Sequence, residues 1–597
     1  MKSSDYIINF LSKNKVTHVF EVCGGAITHL LDSMYGRKDI AAVSMHHEQA
    51  AAFAAEGYSR ASGNIGVAMA TSGPGATNLI TGIGSAFFDS TATLFITGQV
   101  NTYEFKFKKP IRQKGFQEAD IVSIVRPIVK EAHLIDKPEK IVKNLRKAFY
   151  TAKSGRPGPV LLDIPMDIQR FNLPYKRADK VYNLKYINSR PSSKAISQII
   201  RLLSIASRPV IISGGGVGIS GARQELLLLL RKTGIPVVAS LMGLDSCPHD
   251  IANYCGMLGT YGNRYANLTV ANSDLVLALG TRLDTRQTGT VSSTFARGAK
   301  LIHIDIDQFE LNNKIKADIG LVCDVKLFLA ALNKSLTKYN KARILPWISK
   351  TLEFECKYRS WVNQEGNNIA PNLFMHILSG FLPSDAIVCL DVGQHQMWAG
   401  QSLELKEKQM LITQGGMASM GSSLPMAIGA SFAQPNRPVV VITGDGGFQL
   451  NIQELETLRC HNLPVKIILL NNKGYGMIRQ FQRQYFGSRF QSTVKGYSQP
   501  DFKKVVSAFG IPASRVEGIA SLKSKLKELF KSNKPEFLEV MIGKNNLVLP
   551  KLAVNRPIED QDPQLSFNEL KSNMFIKALP RVANSYDRKK NKKKNIR

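Results

Sequence analysis

The chain has 597 residues, of which 44% are hydrophobic and 21% charged, so we expect a globular protein with about four average domains or three large ones. No apolar run is long enough to cross a bilayer, and no signal-peptide core follows Met1. Seven cysteines without CxxC spacing favour the reducing cytoplasm and argue against a zinc site. The net charge of +32 is spread along the chain without a nucleic-acid-binding module, and we interpret its densest run, Arg588–Lys594, as a solvated tail.

Residues 1–175 form the first predicted domain. Short apolar runs at 16–20, 40–43, 65–71 and 93–97 alternate with helical stretches, which is the pattern of a parallel α/β sheet. An Ala-rich helix follows the second run, and Glu48 lies in the first turn of that helix. A carboxylate there is also an ordinary capping or helix-dipole residue, so its position alone does not make Glu48 catalytic.

A second α/β domain is predicted over residues 190–340, after a polar linker at 170–193. Two of its apolar runs end in glycine-containing turns, one at 214–216 and one at 280–286. A triple glycine after a strand can be only a tight turn, so this pattern alone predicts no ligand.

The third predicted domain, residues 365–550, carries the most informative motif. Asp445 follows the apolar run 439–442, and Asn472 follows the run 465–470, 27 positions further on. This spacing fits one β-α-β unit, and ligands bind at the carboxyl ends of strands in open parallel sheets. Carboxylate and amide oxygens suit Mg²⁺, which bridges phosphates. An isolated match could be a plain turn, but the pairing favours a diphosphate site.

Taken together, the motifs resemble those of the acetolactate synthase family of thiamine diphosphate enzymes, across nearly all of residues 1–550. The motifs that carry the resemblance are His47-Glu48-Gln49, 55–63, 71–78, 97–100, 115–118, 155–159, 163–165, 391–398, 414–421, 444–448 and 474–477.

The resemblance implies an α/β protein with three doubly wound parallel-sheet domains of the thiamine diphosphate-enzyme type. These are an N-terminal pyrimidine-binding domain at 1–175, a central domain at 190–340 and a C-terminal diphosphate-binding domain at 365–550. Residues 551–597 would form an extension that ends in a basic, disordered tail.

The resemblance also implies roles for individual residues. Asp445, Asn472 and the main-chain oxygen of Gly474 would bind Mg²⁺, while Glu48 would protonate the aminopyrimidine ring of the cofactor and Met420 would hold the cofactor bent. Phe116 and Gln117 would line the site of ligation, and Gly25 would form a glycine turn near the cofactor. Further cofactor-binding positions are Pro74, Asn78, Gln394, His395, Gly444, Gly446, Gly447 and Met477.

The central domain of this family holds FAD. The corresponding positions here are Gly215, Gly216, Arg282, Asp284 and Arg286. Three features depart from the family pattern: Met257-Leu258-Gly259 replaces MHG, Thr285 replaces an Asp, and Tyr261-Gly262-Asn263 is extra. FAD therefore stays open, whereas thiamine diphosphate and Mg²⁺ are expected.

The implied reaction is the decarboxylation of pyruvate and the transfer of its two-carbon unit to a second 2-keto acid, which gives 2-acetolactate or a related acetohydroxy acid. The expected assembly is a homodimer or tetramer, and a small regulatory subunit stays open as a further partner. No membrane and no specific nucleic acid are expected to bind.

Three departures favour an alternative, a related carboligase or decarboxylase that acts on another acceptor. Phe481 replaces a Trp that shapes acceptor choice, and 557–560 resembles synthase-like proteins of surface-polysaccharide gene sets. The third departure is a basic insertion at 101–115, which is either a solvated loop or a specificity loop for an anionic acceptor; it contains Lys106, Lys108, Lys109, Arg112 and Lys114. A third hypothesis, a catalytically silent nucleic-acid-binding protein, conflicts with the intact Glu48, Asp445 and Asn472.

Overall fold

The computed structural model describes residues 1–174, 190–362 and 366–581. Within these ranges the chain forms three six-stranded, entirely parallel sheets that are flanked by helices, which confirms the predicted fold class. The predicted basic tail and most of the predicted linker at 170–193 lie outside the described residues.

The first sheet has the strand order β2-β1-β3-β4-β6-β5. Its inner strands β3, β4 and β6 are buried on both faces, as expected of a parallel sheet that is covered by helices. The elements of this domain are α1 (Ser3–Lys13), β1 (His18–Val22), α2 (Thr28–Asp32), β2 (Ala41–Ser44), α3 (Glu48–Ser62), β3 (Gly66–Ala70), α4 (Pro74–Asn78), α5 (Ile80–Phe88), β4 (Thr93–Gln99), α6 (Ile121–Val125), β5 (Glu131–Leu134), α7 (Lys140–Lys153), β6 (Val160–Pro165) and α8 (Met166–Arg170).

The second sheet has the order β12-β11-β10-β7-β8-β9, so the direction of winding reverses between β7 and β10. In open α/β sheets this reversal opens a crevice at the carboxyl ends of the two strands, where dinucleotides bind. The elements are α9 (Ser193–Ile205), β7 (Pro209–Ser213), α10 (Gly215–Ile219), α11 (Arg223–Thr233), β8 (Val237–Ala239), β9 (Tyr254–Met257), α12 (Arg264–Ala271), β10 (Leu275–Leu279), α13 (Thr285–Thr288), β11 (Lys300–Asp305), β12 (Ile319–Val322), α14 (Val325–Ser335) and α15 (Leu345–Tyr358).

The third sheet, β14-β13-β15-β16-β18-β17, repeats the strand order of the first. The two sheets are therefore copies of one topology within a single chain. The elements are α16 (Pro371–Ser379), β13 (Ile387–Leu390), α17 (Gln394–Ser402), β14 (Met410–Thr413), α18 (Ser423–Ala433), β15 (Val439–Gly444), α19 (Asp445–Phe448), α20 (Glu454–Cys460), β16 (Lys466–Asn471), α21 (Gly476–Tyr485), α22 (Phe502–Ala508), β17 (Ala513–Val516), α23 (Ile519–Leu529) and β18 (Glu536–Met541).

Helices α3 and α18 join the first and third domains. A Cβ placed on Gly57 would lie 2.1 Å from the carbonyl oxygen of Met426, and one placed on Gly429 would lie 1.9 Å from that of Ala54. The two helices therefore approach so closely that only glycine fits at these positions. Buried side chains from both domains form one continuous apolar cluster around this crossing.

The extension after residue 550 packs against the central domain. It contains β19 (Lys551–Leu552), β20 (Gln561–Asp562) and α24 (Phe567–Ser572). Ile558 is fully buried among central-domain side chains, and Asn267 Nδ2 donates to its carbonyl oxygen at 2.9 Å. The buried Glu559 forms an ion pair with Arg297 at 2.7 Å. The segment 557–560 is therefore an anchor that holds the extension on the central domain.

Candidate active site

The carboxyl ends of β15 and β16 bring Asp445 and Asn472 to one edge of the third sheet, since the two strands are parallel neighbours. Asp445 is the first residue of α19 and is 3% exposed. Its Oδ2 accepts hydrogen bonds from the main-chain NH of Gly474 at 2.8 Å and from the hydroxyl of Tyr497 at 2.7 Å. Burial raises the pKa of Asp445, and these donors oppose that effect.

The side chain of Asn472 is held in one orientation. Its Nδ2 donates to Oε1 of Gln394 at 3.0 Å, and Nε2 of Gln394 donates in turn to Oε1 of Gln480 at 3.1 Å. Asn472 Oδ1 is buried and accepts no hydrogen bond from any described residue. A buried oxygen without a donor is free to bind a cation or a water molecule. Together with the Asp445 carboxylate and the adjoining Gly474 main chain, it forms an oxygen donor set that fits Mg²⁺.

A phosphate-sized cradle adjoins these oxygens. Helices α17 and α19 begin at Gln394 and Asp445, so main-chain NH groups of both helices point toward this edge. Nε2 of His395 is buried without a partner among the described residues. Burial lowers the pKa of His395 to about 4, so the imidazole is neutral near pH 7. A Cβ on Gly446 would lie 2.5 Å from the ring of Tyr475, so the turn needs glycine there.

Met420 and Met477 lie close to this cradle. The Cε atom of Met420 is 3.4 Å from the position of a Cβ on Gly446, which places this side chain over the glycine turn. Met477 is half-buried in α21 and packs against the apolar core of the third domain. A Cβ on Gly447 would lie 3.1 Å from the buried carboxylate of Asp391, so the glycine turn packs closely against Asp391.

Glu48 lies in the first domain, at the amino-terminal end of α3, and is half-buried. Its Oε2 accepts a hydrogen bond from Asn78 Nδ2 at 2.9 Å, and Asn78 ends the short helix that begins at Pro74. The neighbouring His46 main-chain NH donates to Glu454 of the third domain at 3.0 Å. No hydrogen bond joins the Glu48 group to the Asp445 group within the described chain, so the structure shows them as two separate groups.

Of Phe116, Gln117 and Gly25, Gln117 contacts the turn that precedes the helix of Pro74 and Asn78. Gln117 has φ of 63°, and its carbonyl oxygen is 2.8 Å from the position of a Cβ on Gly73, the residue before Pro74. Phe116 is 85% exposed. A Cβ on Gly25 would meet nothing within 4 Å, so packing within the described chain does not require glycine there.

The basic insertion at 101–115 is an ordered loop built around Glu118. The buried Glu118 carboxylate accepts hydrogen bonds from the main-chain NH groups of Lys106 and Lys114, each at 2.7 Å. The ammonium of Lys106 donates to the carbonyl oxygens of Ile111 and Arg112, each at 3.1 Å, and is thereby used inside the loop. The ammonium of Lys114 donates to the carbonyl oxygen of Tyr103, and the basic side chains of Lys108, Lys109 and Arg112 are also exposed.

A cavity of about 740 Å³ lies between the domains, at the strand reversal of the second sheet. All the positions predicted for FAD line it: Gly215, Gly216, Arg282, Asp284 and Arg286. A Cβ on Gly216 would lie 2.7 Å from Gly280 Cα, so the two glycine turns pack directly on each other. The carboxylate of Asp284 pairs with Arg282 at 3.2 Å and caps α13.

Sequence reasoning missed Tyr497, whose hydroxyl donates to Asp445, and Gln480, which accepts a hydrogen bond from Gln394. Tyr497 lies in an irregular segment after α21, where no periodicity predicts its position. Gln480 is in a helical stretch next to Phe481, and only the fold directs its amide toward Gln394.

Comparison with protein families assigns the class. Three models of the thiamine pyrophosphate enzymes match the chain: the N-terminal TPP binding domain at residues 1–124, the central domain at 196–332 and the C-terminal TPP binding domain at 391–540. The protein is therefore a thiamine pyrophosphate (thiamine diphosphate) enzyme, in agreement with the cradle at the third sheet.

Individual relatives narrow this class. The chain is 38% identical to acetolactate synthase 2, chloroplastic, of Nicotiana tabacum over 94% of this chain and 85% of that protein. It is 38% identical to the probable acetolactate synthase large subunit of Methanocaldococcus jannaschii over 91% and 92%, and 37% identical to the acetolactate synthase large subunit of Porphyra purpurea over 92% and 93%. The chain belongs to the acetolactate synthase family.

Across the three described ranges, no helix combines the length and the apolar character that a membrane span requires.

Proposed function

We propose that this protein decarboxylates pyruvate and joins the two-carbon unit to a second 2-keto acid, which gives 2-acetolactate or a related acetohydroxy acid. The observation that carries the proposal is the unpartnered, buried Asn472 Oδ1 beside Asp445, in a chain of the acetolactate synthase family. An oxygen set of this kind suits a cation that bridges a diphosphate, and the family supplies the cofactor that bears one.

The third domain would hold the cofactor. Asp445, Asn472 Oδ1 and the Gly474 carbonyl would bind Mg²⁺, while Gln394, His395 and the NH groups of 444–447 would contact the diphosphate. When bound, thiamine diphosphate supplies a thiazolium ring that takes up the electrons released by decarboxylation. The neutral imidazole of His395 can donate one hydrogen bond to a phosphate oxygen without adding a charge to the site.

The first domain would supply the proton donor. The hydrogen bond from Asn78 fixes Oε2 of Glu48. The other oxygen, Oε1, would then hold a proton at the ring nitrogen of the aminopyrimidine. Positioned general acids contribute about 10²- to 10⁴-fold to rate. Met420, which lies over the glycine turn, would sit between the two rings of the cofactor and hold it bent. Phe116, Gln117 and Gly25 would border the space where the acceptor binds.

The site would be completed by a second copy of the chain. Among the described residues, no hydrogen bond joins the Glu48 group to the Asp445 group, and Phe116 and Leu450 are 85% and 50% exposed. Two copies related by a two-fold axis would pair each Glu48 group with the partner's diphosphate cradle, so a dimer or a dimer of dimers follows. All seven cysteines are unpaired, which supports a place in the reducing cytoplasm.

The interdomain cavity would bind FAD in a structural role. A volume of about 740 Å³ suits a large organic cofactor, and the cavity lies where a sheet of this strand order binds dinucleotides. The glycine turns at 214–216 and 280 would let the backbone approach the pyrophosphate. Arg282 and Arg286 would supply positive charge there.

A second candidate function is ligation to an acceptor other than a 2-keto acid. Phe481 occupies the position of a Trp that shapes acceptor choice in the family, and the ordered basic loop presents Lys108, Lys109 and Arg112 to solvent near Gln117. These features bear on the acceptor alone, so decarboxylation of pyruvate is common to both candidates.

The test is product analysis by mass spectrometry after incubation with pyruvate, Mg²⁺ and thiamine diphosphate, with a panel of 2-keto acids and aldehydes. A hydroxyketo acid such as acetolactate is the expected product, and an aldehyde-derived hydroxyketone as the main product would select the second candidate. Acetaldehyde alone would refute ligation. Glu48→Gln tests the role of the carboxyl group. Turnover should fall about 10²- to 10⁴-fold, while the cofactor still binds in calorimetry. Full activity of this variant would refute the proton role of Glu48.

A further inference from the structure

Three sequence features that set this chain apart meet at one place in the fold. They are the extra segment that begins at Tyr261, the Phe481 that replaces a Trp, and the extension that begins at Lys551. We use the name Lys551 cluster for Lys551, Tyr261, Phe481, Tyr485 and Gln484, which come from the central domain, from α21 and from β19.

The ammonium group of Lys551 lies at the centre of the cluster. It is 5.7 Å from the centroid of the Tyr261 ring, 5.9 Å from that of Phe481 and 5.4 Å from that of Tyr485. It also donates a hydrogen bond to Oε1 of Gln484 at 2.5 Å. A cation within about 6 Å of a ring centroid is attracted by the negative face of the ring. Lys551 thus binds three rings and one amide oxygen.

Lys551 is 6% exposed, and among the described residues no carboxylate lies within ion-pair distance of its ammonium. Burial lowers the pKa of Lys551, and the more distant Asp562 opposes this effect. A buried ammonium without a carboxylate depends on its aromatic and amide neighbours for stabilisation. The cluster is therefore held together mainly by contacts between Lys551 and the rings.

The cluster is anchored on both sides of Lys551. Nε2 of Gln401 donates to the carbonyl oxygen of Tyr261 at 2.9 Å and lies 3.4 Å from that of Pro550. The Leu552 main-chain NH donates to the carbonyl oxygen of Thr260 at 2.7 Å. These contacts fix the main chain on both sides of Lys551 to residues of two domains, and so they restrict where its side chain can reach.

The cluster adjoins the cofactor site through α21. This helix begins at Gly476, and a Cβ placed there would lie 2.4 Å from Asn472 Nδ2. Gln480, one residue before Phe481, accepts the hydrogen bond from Gln394. Phe481 is 47% exposed, and its ring packs against Tyr485 with a centroid distance of 4.6 Å. The ring is therefore partly accessible to a ligand, while contacts with Tyr485 and Lys551 hold its position.

We propose that Lys551 is a positioning residue that fixes the ring of Phe481 and thereby sets the acceptor selectivity of this enzyme. The inference rests on the proposed carboligation, in which Phe481 occupies the position that shapes acceptor choice. Without the ammonium, the ring loses its attractive partner and takes up other rotamers, so the space left for the substituent on the acceptor changes. The first half-reaction, which does not involve the acceptor, stays unchanged.

The experiment compares Lys551→Met, which keeps the length and apolar stem of the side chain, with Lys551→Arg, which keeps the charge. Pyruvate and 2-ketobutyrate compete as acceptors, and the ratio of the two products is measured. Lys551→Met should change this ratio about three- to tenfold, while Lys551→Arg stays within about twofold of the wild type. The rate of the first CO₂ release in a single turnover, with enzyme in excess over pyruvate so that no second pyruvate serves as acceptor, should be the same in all three proteins.

Two controls separate positioning from a general structural effect. Lys571 is exposed and lies 4.9 Å from the ring centroid of Phe567 in the same extension, so Lys571→Met removes a cation–ring contact remote from Phe481 and should leave the ratio unchanged. In a Phe481→Ala background, Lys551→Met should have no further effect on the ratio. An equal effect with and without Phe481, or a parallel loss of CO₂ release and ligation, would overturn the proposal.

A second measurement does not depend on the reaction. Melting temperatures of the wild type, Lys551→Met, Phe481→Ala and the double variant form a cycle, and the loss caused by Lys551→Met should be smaller when Phe481 is absent. Additive losses would overturn the contact on which the proposal rests. If the wild type forms no ligation product with any acceptor, the proposed function fails, whereas the cycle still decides whether Lys551 holds the Phe481 ring.

Discussion

Tyr497→Phe tests the cofactor site at its most specific contact. The Tyr497 hydroxyl donates a hydrogen bond to Oδ2 of Asp445 at 2.7 Å. The substitution removes this hydrogen-bond donor and keeps the ring. The ring packs edge-on against Tyr475 with a centroid distance of 5.0 Å, and this contact should survive. The variant should therefore fold normally and lose only one of the contacts that orient the carboxylate.

The expected size follows from the two donors on the same oxygen. A hydrogen bond to a charged group contributes about 1.5 to 3 kcal/mol. Because the NH of Gly474 remains bound to Oδ2, we take the lower end, about 1.5 kcal/mol, which corresponds to roughly tenfold weaker binding of thiamine diphosphate. Mutation of a residue that holds a metal ligand without itself binding the metal typically lowers metal affinity about 10- to 100-fold, which agrees with this value.

The assay is calorimetric titration of thiamine diphosphate at a fixed, saturating Mg²⁺ concentration, which reports binding without turnover. Tyr475→Phe is the matched control, since it removes a neighbouring hydroxyl that bonds to no described residue. Unchanged affinity in Tyr497→Phe, or the same loss in both variants, would refute the idea that Tyr497 orients Asp445 for the cation.

Further predictions concern stability, assembly and the flavin. Burial raises the pKa of Asp163 from its ordinary value of 3.8 to about 7. The folded state then binds more protons than the unfolded state between these values, so the unfolding free energy should fall as pH rises from about 4 to about 7. Asp163→Asn should weaken this fall in denaturant titrations at pH 4 to 8, and an identical pH dependence would contradict the assignment. Light scattering of the active enzyme should give a dimer or tetramer, and a fully active monomer would be incompatible with a shared site. The purified protein should show flavin absorbance near 450 nm that Arg282→Ala reduces, whereas a colourless, fully active enzyme would argue against FAD.

Local sequence patterns predicted the parts of the protein that consist of contiguous residues. Asp445 and Asn472 each end an apolar run, and consecutive parallel strands place their carboxyl ends side by side. The start of α3 at Glu48 follows from the Ala-rich periodicity after the second strand. The resemblance to a known family then indicated the cofactor, because several such motifs occur together in the right order.

The insertion at 101–115 shows where local patterns stop being informative. Its composition left two alternatives open, a solvated loop and a specificity loop for an anionic acceptor. In the structure, the carboxylate of Glu118 binds main-chain NH groups at both ends of the loop, and Lys106 is used inside it. The remaining charges on Lys108, Lys109 and Arg112 are thus presented by an ordered surface, and whether they meet an acceptor stays a prediction.

The amino-acid sequence by itself determined the three sheets and the positions of Asp445 and Asn472 at the ends of two neighbouring strands. Only the tertiary structure decided the orientation of the Asn472 amide, the contact of Tyr497 with Asp445 and the meeting of Tyr261, Phe481 and Lys551. Strands and helices follow from the spacing of neighbouring residues. Contacts between residues that are hundreds of positions apart depend on how whole domains pack, because packing brings together side chains from segments that share no local periodicity.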